Sequence, residues 1–354
     1  MHTEIAAAVV GAGYWGANLI RVLQNTNGMW LRTVCDERPE VLQEVKRRAP
    51  QVALAPSYAQ VLRDPNIEAV LLATPPATHY QLAYAALEAG KHVWIEKPLA
   101  LTYDEGRNLV ALAQERQRIL FVDETFLYDP LVQQARAIIA NGGLGNIHHV
   151  SLERTGMGRI RRDSNVWWNS APHDLSILHY LLDTPVTRVS ATGHAFLQPG
   201  IEDVVWATLH LAGDISAHVY LSWLCPEKKA TLMVVGEHGM LRYEGRFEQR
   251  KLTRYAYCLG RSTETLPHAV VRTNLIPIEK YEVIEEITED RSEPLTLACA
   301  AFRESILTGR PALSSGENSL RTVAVLDAGA RSLTQQGQWN TVPDASPSGD
   351  SCPQ

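Results

Sequence analysis

Residues 9–16 read Val-Val-Gly-Ala-Gly-Tyr-Trp-Gly, a G-x-G-x-x-G that closes an apolar run and opens a helical stretch. In that setting Gly11 makes a tight turn, Gly13 lets the backbone approach a pyrophosphate, and Gly16 permits close helix-strand packing, with the helix N–H groups facing phosphate oxygens. Tyr14 and Trp15 fill the two variable places of the turn and count with it as cofactor-facing positions. Asp36 ends the next apolar run, twenty residues past Gly16, where a carboxylate holds the hydroxyls of an adenosine ribose and repels a 2'-phosphate. That favours NAD over NADP, although nearby Arg38 could accommodate the phosphate and Asp36 could be an ordinary turn residue. Thr74, Pro75 and His79 follow the end of another apolar run, where a doubly wound sheet places its ligand crevice; His79 reads equally as a helix-start residue or a cofactor contact. Glu96-Lys97-Pro98 follows residues 92–95, which puts a lysine at the carboxyl edge of a strand beside the expected nicotinamide. Proline restricts Lys97 to an extended backbone and so fixes its aim; a plain surface lysine is the alternative.

These groups need a scaffold that brings strand ends together. Apolar runs at 5–10, 31–35, 69–73, 92–95 and 119–122 are separated by enough chain for one crossover helix each, and runs buried on both faces are apolar without alternation. The expectation is an α/β chain: a Rossmann doubly wound parallel sheet over 1–123, then a substrate-binding and oligomerisation α+β domain over 124–340. In that second domain, 204–211 and 215–223 form a hairpin around Ala212-Gly213-Asp214, further strands lie at 230–235 and 240–243, and the sheet is large, open and mainly antiparallel. Helices are expected at 295–308 and 319–335, and a disordered tail at 341–354.

The 354 residues are 45% hydrophobic and 20% charged, with net charge -6, a balance for two packed domains with no pull toward nucleic acid or an anionic membrane. No stretch is long enough to span a bilayer, and nothing resembles a secretory signal. The five cysteines (Cys35, Cys225, Cys258, Cys299, Cys352) have neither metal-ligand spacing nor a disulfide density, so a metal-free, cytoplasmic protein is expected.

Together the glycine fingerprint and Glu96-Lys97-Pro98 resemble the glucose-fructose oxidoreductase, inositol dehydrogenase and MocA family, in which that lysine contacts the reacting hydroxyl. The family's second motif, an aspartate four residues before a histidine, is matched by Asn169-Ser170-Ala171-Pro172-His173. The resemblance implies that His173 takes a proton, with Asn169 standing where the carboxylate is usual and supplying an uncharged hydrogen bond in its place. Ser170 reads as an N-cap and Pro172 as a first-turn proline. His173 would then lie in the first turn of its helix, kept neutral by the dipole, and Asp174 would be a dipole-favoured carboxylate. The alternative is a structural histidine, with Lys97 handling the proton alone.

Over nearly the whole chain the resemblance is strongest to the nucleotide-sugar branch, within it to UDP-N-acetylglucosamine 3-dehydrogenases. It implies NAD-dependent oxidation of a UDP-sugar 3-hydroxyl, a pyridoxal-phosphate (PLP) aminotransferase consuming the keto sugar on the way to lipid A type glycans, and a homodimer or homotetramer formed through the open sheet face. Arg159, Arg161 and Arg162 could supply the bidentate guanidinium groups that a pyrophosphate needs, or be a solvated loop. Tyr128, Asn165 and Trp168 could line the sugar pocket or belong to the core. Rival readings are a dehydrogenase or ketoreductase of another nucleotide sugar, such as UDP-N-acetylglucosaminuronate, and a non-catalytic NAD-binding regulator, which the missing aspartate at Asn169 allows.

Overall fold

The computed structural model describes residues 4–158, 160–245, 250–259, 278–287 and 292–345. The segment Ile-Ala-Ala-Ala-Val-Val is buried along its whole length as β1 (Ile5–Val10), because its small side chains let helices approach both faces of a central strand. Five more strands, β2 (Met29–Cys35), β3 (Ala53–Ala55), β4 (Ala69–Leu72), β5 (His92–Ile95) and β6 (Leu120–Val122), join it in the order β3-β2-β1-β4-β5-β6. Every pairing is parallel, so each connection is a crossover: α1 (Tyr14–Asn25), α2 (Pro39–Arg48), α3 (Tyr58–Arg63), α4 (His79–Glu88) and α5 (Tyr103–Glu115). The order reverses beside β1, and a doubly wound sheet opens its ligand crevice at the carboxyl ends of the strands at such a point.

The chain divides into two compact units, and the division differs from the expected one. The first holds residues 1–129, Ser292–Asp327 and the chain end from Pro343; the second holds Pro130–Arg291 and Ala328–Val342. The reason lies in aromatic packing. Trp94 of β5 stacks on Phe121 of β6 at 4.4 Å, and Phe302 of α8 (Pro294–Thr308) meets Trp94 edge-on at 5.6 Å. That contact binds α8 to the first sheet, which no linear reading of a helix at 295–308 shows.

The second unit opens with α6 (Pro130–Ala140), followed by β7 (Ile147–Thr155), α7 (Val166–Leu182), β8 (Val186–His194), β9 (Val204–Leu211), β10 (Ile215–Ser222), β11 (Lys229–Gly236), β12 (Gly239–Glu244), β13 (Lys251–Leu259) and β14 (Ile278–Ile287). After α9 (Gly316–Thr334), which begins in the first unit, β15 (Asn340–Thr341) completes a nine-stranded sheet ordered β14-β13-β12-β11-β7-β10-β9-β8-β15. It is mainly antiparallel, with β7 and β10 parallel. The β9–β10 hairpin turns through Gly213 and Asp214, both at positive φ. Thr341, the first threonine after Asn340 and part of the expected tail, is paired with Arg188 of β8; residues 346–354 of that tail lie outside the described residues. Among the described residues no helix is long and apolar enough to cross a membrane.

Candidate functional site

The glycine turn is built by close approach. A Cβ on Gly16 would lie 1.9 Å from Gly11 O, and one on Gly11, at φ +86°, would lie 2.6 Å from Ala73 O. Gly13 differs, since a Cβ there would find only Arg38 Nη2, at 3.9 Å. Gly13 is also the N-cap of α1 and provides no side-chain cap, so the first N–H groups of the helix are left for an anion. Two glycines are thus demanded by packing, and the third keeps an approach open. That is the arrangement a dinucleotide pyrophosphate fits. Tyr14, at the first position of α1, is 66% exposed.

Asp36, at the end of β2, is 6% exposed. Its carboxylate accepts from Ala12 N at 2.9 Å, from Arg38 N at 3.0 Å, and from Arg38 Nε and Nη2, each at 2.9 Å. Burial by itself would raise its pKa, but the bonds from Arg38 and Ala12 outweigh burial and lower it. The carboxylate therefore fixes the arginine beside Gly13.

His79 does not offer itself to a cofactor. It is wholly buried, with Nδ1 2.8 Å from Pro98 O and Nε2 3.0 Å from Thr74 O. Burial lowers its pKa against the raising effect of the two carbonyls, and a neutral ring donates to one carbonyl at a time. Its place is structural: it ties the Thr74-Pro75 loop, where Thr78 Oγ1 donates to Pro75 O at 2.8 Å, to the residue after Lys97. The Lys97–Pro98 peptide is cis.

Glu96 and Asp123 continue β5 and β6 by one residue. Glu96 N donates to Leu72 O at 3.0 Å and Asp123 N to Ile95 O at 2.8 Å. The last paired residues, Ile95 and Val122, stand opposite each other, so the next side chains share one face and the two carboxyls meet. Burial first, and then the Asp123 charge, push the Glu96 carboxyl well above the usual range; burial also raises Asp123. Glu96 therefore commits its carboxyl to Asp123 and not to a ligand. Trp15 Nε1 donates to Asp123 Oδ2 at 2.7 Å. Asp123 was missed by sequence reasoning although a signal was present: like Asp36 and Glu96, it directly follows an apolar run.

Tyr128 belongs to the core of the first unit, not to a sugar pocket. It is 5% exposed, stacks on Phe121 and lies with its hydroxyl 2.9 Å from Ser314 Oγ.

In the second unit, α7 starts earlier than the sequence suggests. Asn165 is its N-cap, accepting from Trp168 N at 3.1 Å while its Nδ2 donates to Glu202 Oε2 at 2.6 Å. The amide of Asn165 is consumed in building the helix, and Trp168 sits half-buried in the first turn. Ser170 and Pro172 are interior residues, and His173 is the eighth residue of α7, too far in for a dipole effect confined to the first turn. Asn169 and His173, four apart and both half-buried, lie on one helix face. Asp174 is 3% exposed and grips Arg154 of β7, accepting from Nη2 at 2.6 Å and Nε at 3.0 Å; it is an ion-pair partner, not a first-turn carboxylate. Arg161 donates from Nε and Nη2, each at 2.7 Å, to the two oxygens of Asp163, so its fork is already filled. Arg159 lies outside the described residues.

Two family models match the chain: an oxidoreductase family with an NAD-binding Rossmann fold over residues 5–124, and a GFO/IDH/MocA C-terminal domain over 132–242. The scyllo-inositol 2-dehydrogenase (NAD(+)) of Bacillus subtilis is 29% identical over 242 residues, 61% of this chain and 68% of that protein. Matches to an oxidoreductase of Bacillus subtilis and one of Escherichia coli span only 61% and 60% of those proteins. Two solved structures superpose over almost the full chain. WlbA dehydrogenase from Bordetella pertussis, in complex with NADH and UDP-GlcNAcA, has a TM-score of 0.77 at 23% identity over 96% of this chain and 99% of that one. UDP-N-acetylglucosamine 3-dehydrogenase GnnA from Acidithiobacillus ferrooxidans has a TM-score of 0.78 at 22% identity over 95% and 99%. With a fitting glycine turn and both domain models matched, the chain belongs to the glucose-fructose oxidoreductase, inositol dehydrogenase and MocA family and carries its NAD-binding Rossmann domain.

Proposed function

We propose that this dehydrogenase oxidises the 3-hydroxyl of UDP-N-acetylglucosamine to the 3-keto sugar in the cytoplasm, and that a PLP aminotransferase consumes the product. The observation that carries the catalytic part is the placement of Lys97 at the carboxyl end of β5, with Glu96 N bonded to Leu72 O before it and His79 against Pro98 O after it. A lysine held on both sides keeps one aim, which orientation-dependent catalysis rewards. The glycine turn and Asp36 would hold NAD, which when bound would supply the hydride acceptor. The Lys97 ammonium donates a hydrogen bond to the sugar hydroxyl and polarises it. His173 accepts the hydroxyl proton, with Asn169 one turn before it on α7 as its uncharged orienting partner. The sugar assignment is supported by the solved structures whose names carry UDP-sugars.

Changing Lys97 to Ala is expected to leave NADH affinity within about threefold and to cut turnover by at least about a hundredfold, the lower range for losing a positioned acid-base group. Absorbance of reduced cofactor reads turnover, and an unimpaired variant would sink the mechanism. A second reading follows from the Arg161–Asp163 pair. With that fork engaged, the second reading is a substrate without a pyrophosphate, a cyclic polyol as in the name of the inositol dehydrogenase relative. Offering UDP-N-acetylglucosamine, its uronate and an inositol side by side discriminates between these, since the true substrate has the highest kcat/KM.

A further inference from the structure

Two buried carboxyls, at the ends of β5 and β6, have no part in the mechanism above. Two carboxylates in hydrogen-bond contact cannot both ionise in a buried site, so one proton is held between them. Their partners show which member keeps the charge. Asp123 accepts twice, from the Trp15 indole at Oδ2 and from Thr125 Oγ1 at Oδ1, and an ionised carboxylate is the acceptor-only form. Glu96 has one buried oxygen, Oε1, without a hydrogen-bond partner, as befits the neutral acid whose proton points at Asp123. Lys97, next in the chain to Glu96, favours the charged form of both carboxyls. Among the described residues, Glu124, Tyr128 and Cys299 are further titratable groups within electrostatic reach of Asp123.

We infer that Asp123 is a positioning residue of this dehydrogenase: a buried carboxylate that shares one proton with Glu96, anchors the Trp15 indole beside the glycine turn, and sets a fixed negative charge within reach of Lys97. Trp15 is the residue before Gly16, so the anchor ties the dinucleotide turn to the end of β6. The same carboxylate balances the lysine charge while Glu96 stays neutral. Through these two links one side chain coordinates the cofactor turn with the residue that handles the hydroxyl. The part played by Lys97 rests on the proposed function, whereas the shared proton and the Trp15 anchor do not.

The test uses the full chain with Asp123→Asn, Asp123→Ala and Glu96→Gln. Infrared spectroscopy of the protein without substrate, at neutral pH, is expected to show a protonated-carboxyl band that Glu96→Gln removes and Asp123→Asn shifts, separate from any band removed by Glu124→Gln. Asp123→Asn keeps an acceptor for Trp15, so NADH affinity should stay within about threefold, while the pH profile of kcat/KM moves to lower pH by about one unit through loss of the neighbouring negative charge. Asp123→Ala also loses the indole anchor and should weaken NADH binding about tenfold, the scale of one hydrogen bond to a charged group. A carboxyl band indifferent to both Glu96→Gln and Asp123→Asn would overturn the shared proton. An unmoved pH profile in folded Asp123→Asn, with the Glu96 carboxyl band still present to show that Glu96 has not taken over the charge, would overturn the link to Lys97. Should no sugar be turned over, the infrared and NADH measurements still decide the rest. Should Asp123→Asn fail to fold, Glu96→Gln, which leaves the Asp123 contacts to Trp15 and Thr125 in place, carries the infrared test.

Discussion

Asp36 takes three hydrogen bonds from Arg38 and one from Ala12, so in the proposed site the residue expected to disfavour a 2'-phosphate also restrains the cation expected to welcome one. Asp36→Ser removes the repulsion and frees the guanidinium in one step. NADH affinity is expected to fall about tenfold or more, as when a hydrogen bond to a charged group is lost, and NADPH affinity to rise. A fluorescence titration of both cofactors reads the ratio, and equal losses for the two would mean that the pair only supports the turn. The placement of Asp36, Lys97 and the glycines was legible because it is local: each comes just after an apolar run, and such runs end where a doubly wound sheet opens its crevice. His79, Tyr128 and Arg161 were legible only as open alternatives, among them the helix start and the core residue that the structure shows for the first two, because what decides between the readings is a partner. Carbonyls from two loops, an aromatic stack with Ser314, and the Asp163 carboxylate leave no mark at the residues they occupy.

Between elements, two buried carboxyls behave oppositely. Glu124, two residues past β6, is 4% exposed, and burial pushes its pKa up to about 8. A carboxyl raised in the folded state keeps its proton there while the unfolded chain, with the ordinary value of 4.5, has released it. The folded state then binds more protons between those two values, so this group's contribution falls as pH rises from 4.5 to 8 and stays low above. Glu124→Gln should therefore stabilise the protein at alkaline pH, on the order of a few kcal/mol, with little effect at acid pH. Thermal unfolding at several pH values checks it, and a pH-independent difference would contradict the buried acid. Asp174 is instead committed to Arg154, joining α7 to β7. Asp174→Asn should cost about 3–5 kcal/mol by stranding the arginine, whereas replacing both partners with apolar residues should recover most of it. Chemical denaturation of the single and double variants measures the difference. The strands of the first sheet were legible because burial on both faces leaves uninterrupted apolar runs. The start of α7 was not: Ser170 and Pro172 carry the composition of a helix N-terminus, yet Asn165 caps the helix five residues earlier. The buried Val166 and Trp167 carry α7 back to it, and the helix accepts a proline in its interior.

At the scale of the whole molecule, the second sheet leaves one face to be accounted for. Along β9 the buried residues alternate with outward ones, and α7 lies against strands β9 and β10. The outward row is aromatic: Trp206, 46% exposed, stacks on Tyr220 at 5.5 Å and meets His194 edge-on, while Trp339 packs on His210 at 4.6 Å beneath Arg188. A solvated strand face in a monomer would ordinarily be polar, so exposed tryptophans set among polar residues on this face make it a candidate interaction surface. The same sheet face is the one the family resemblance assigns to self-association, so a second copy of the chain is the expected occupant. A stable interface buries about 1,200–2,000 Å² in total, and one charge at its centre is enough to oppose it through desolvation. Trp206→Glu should therefore convert a dimer or tetramer to monomer in sedimentation velocity, with an unfolding temperature that becomes independent of protein concentration. A wild-type chain that sediments as a monomer at micromolar concentration would show instead that the aromatic row serves β9 and β10 alone, as a cross-strand ladder stabilising the sheet.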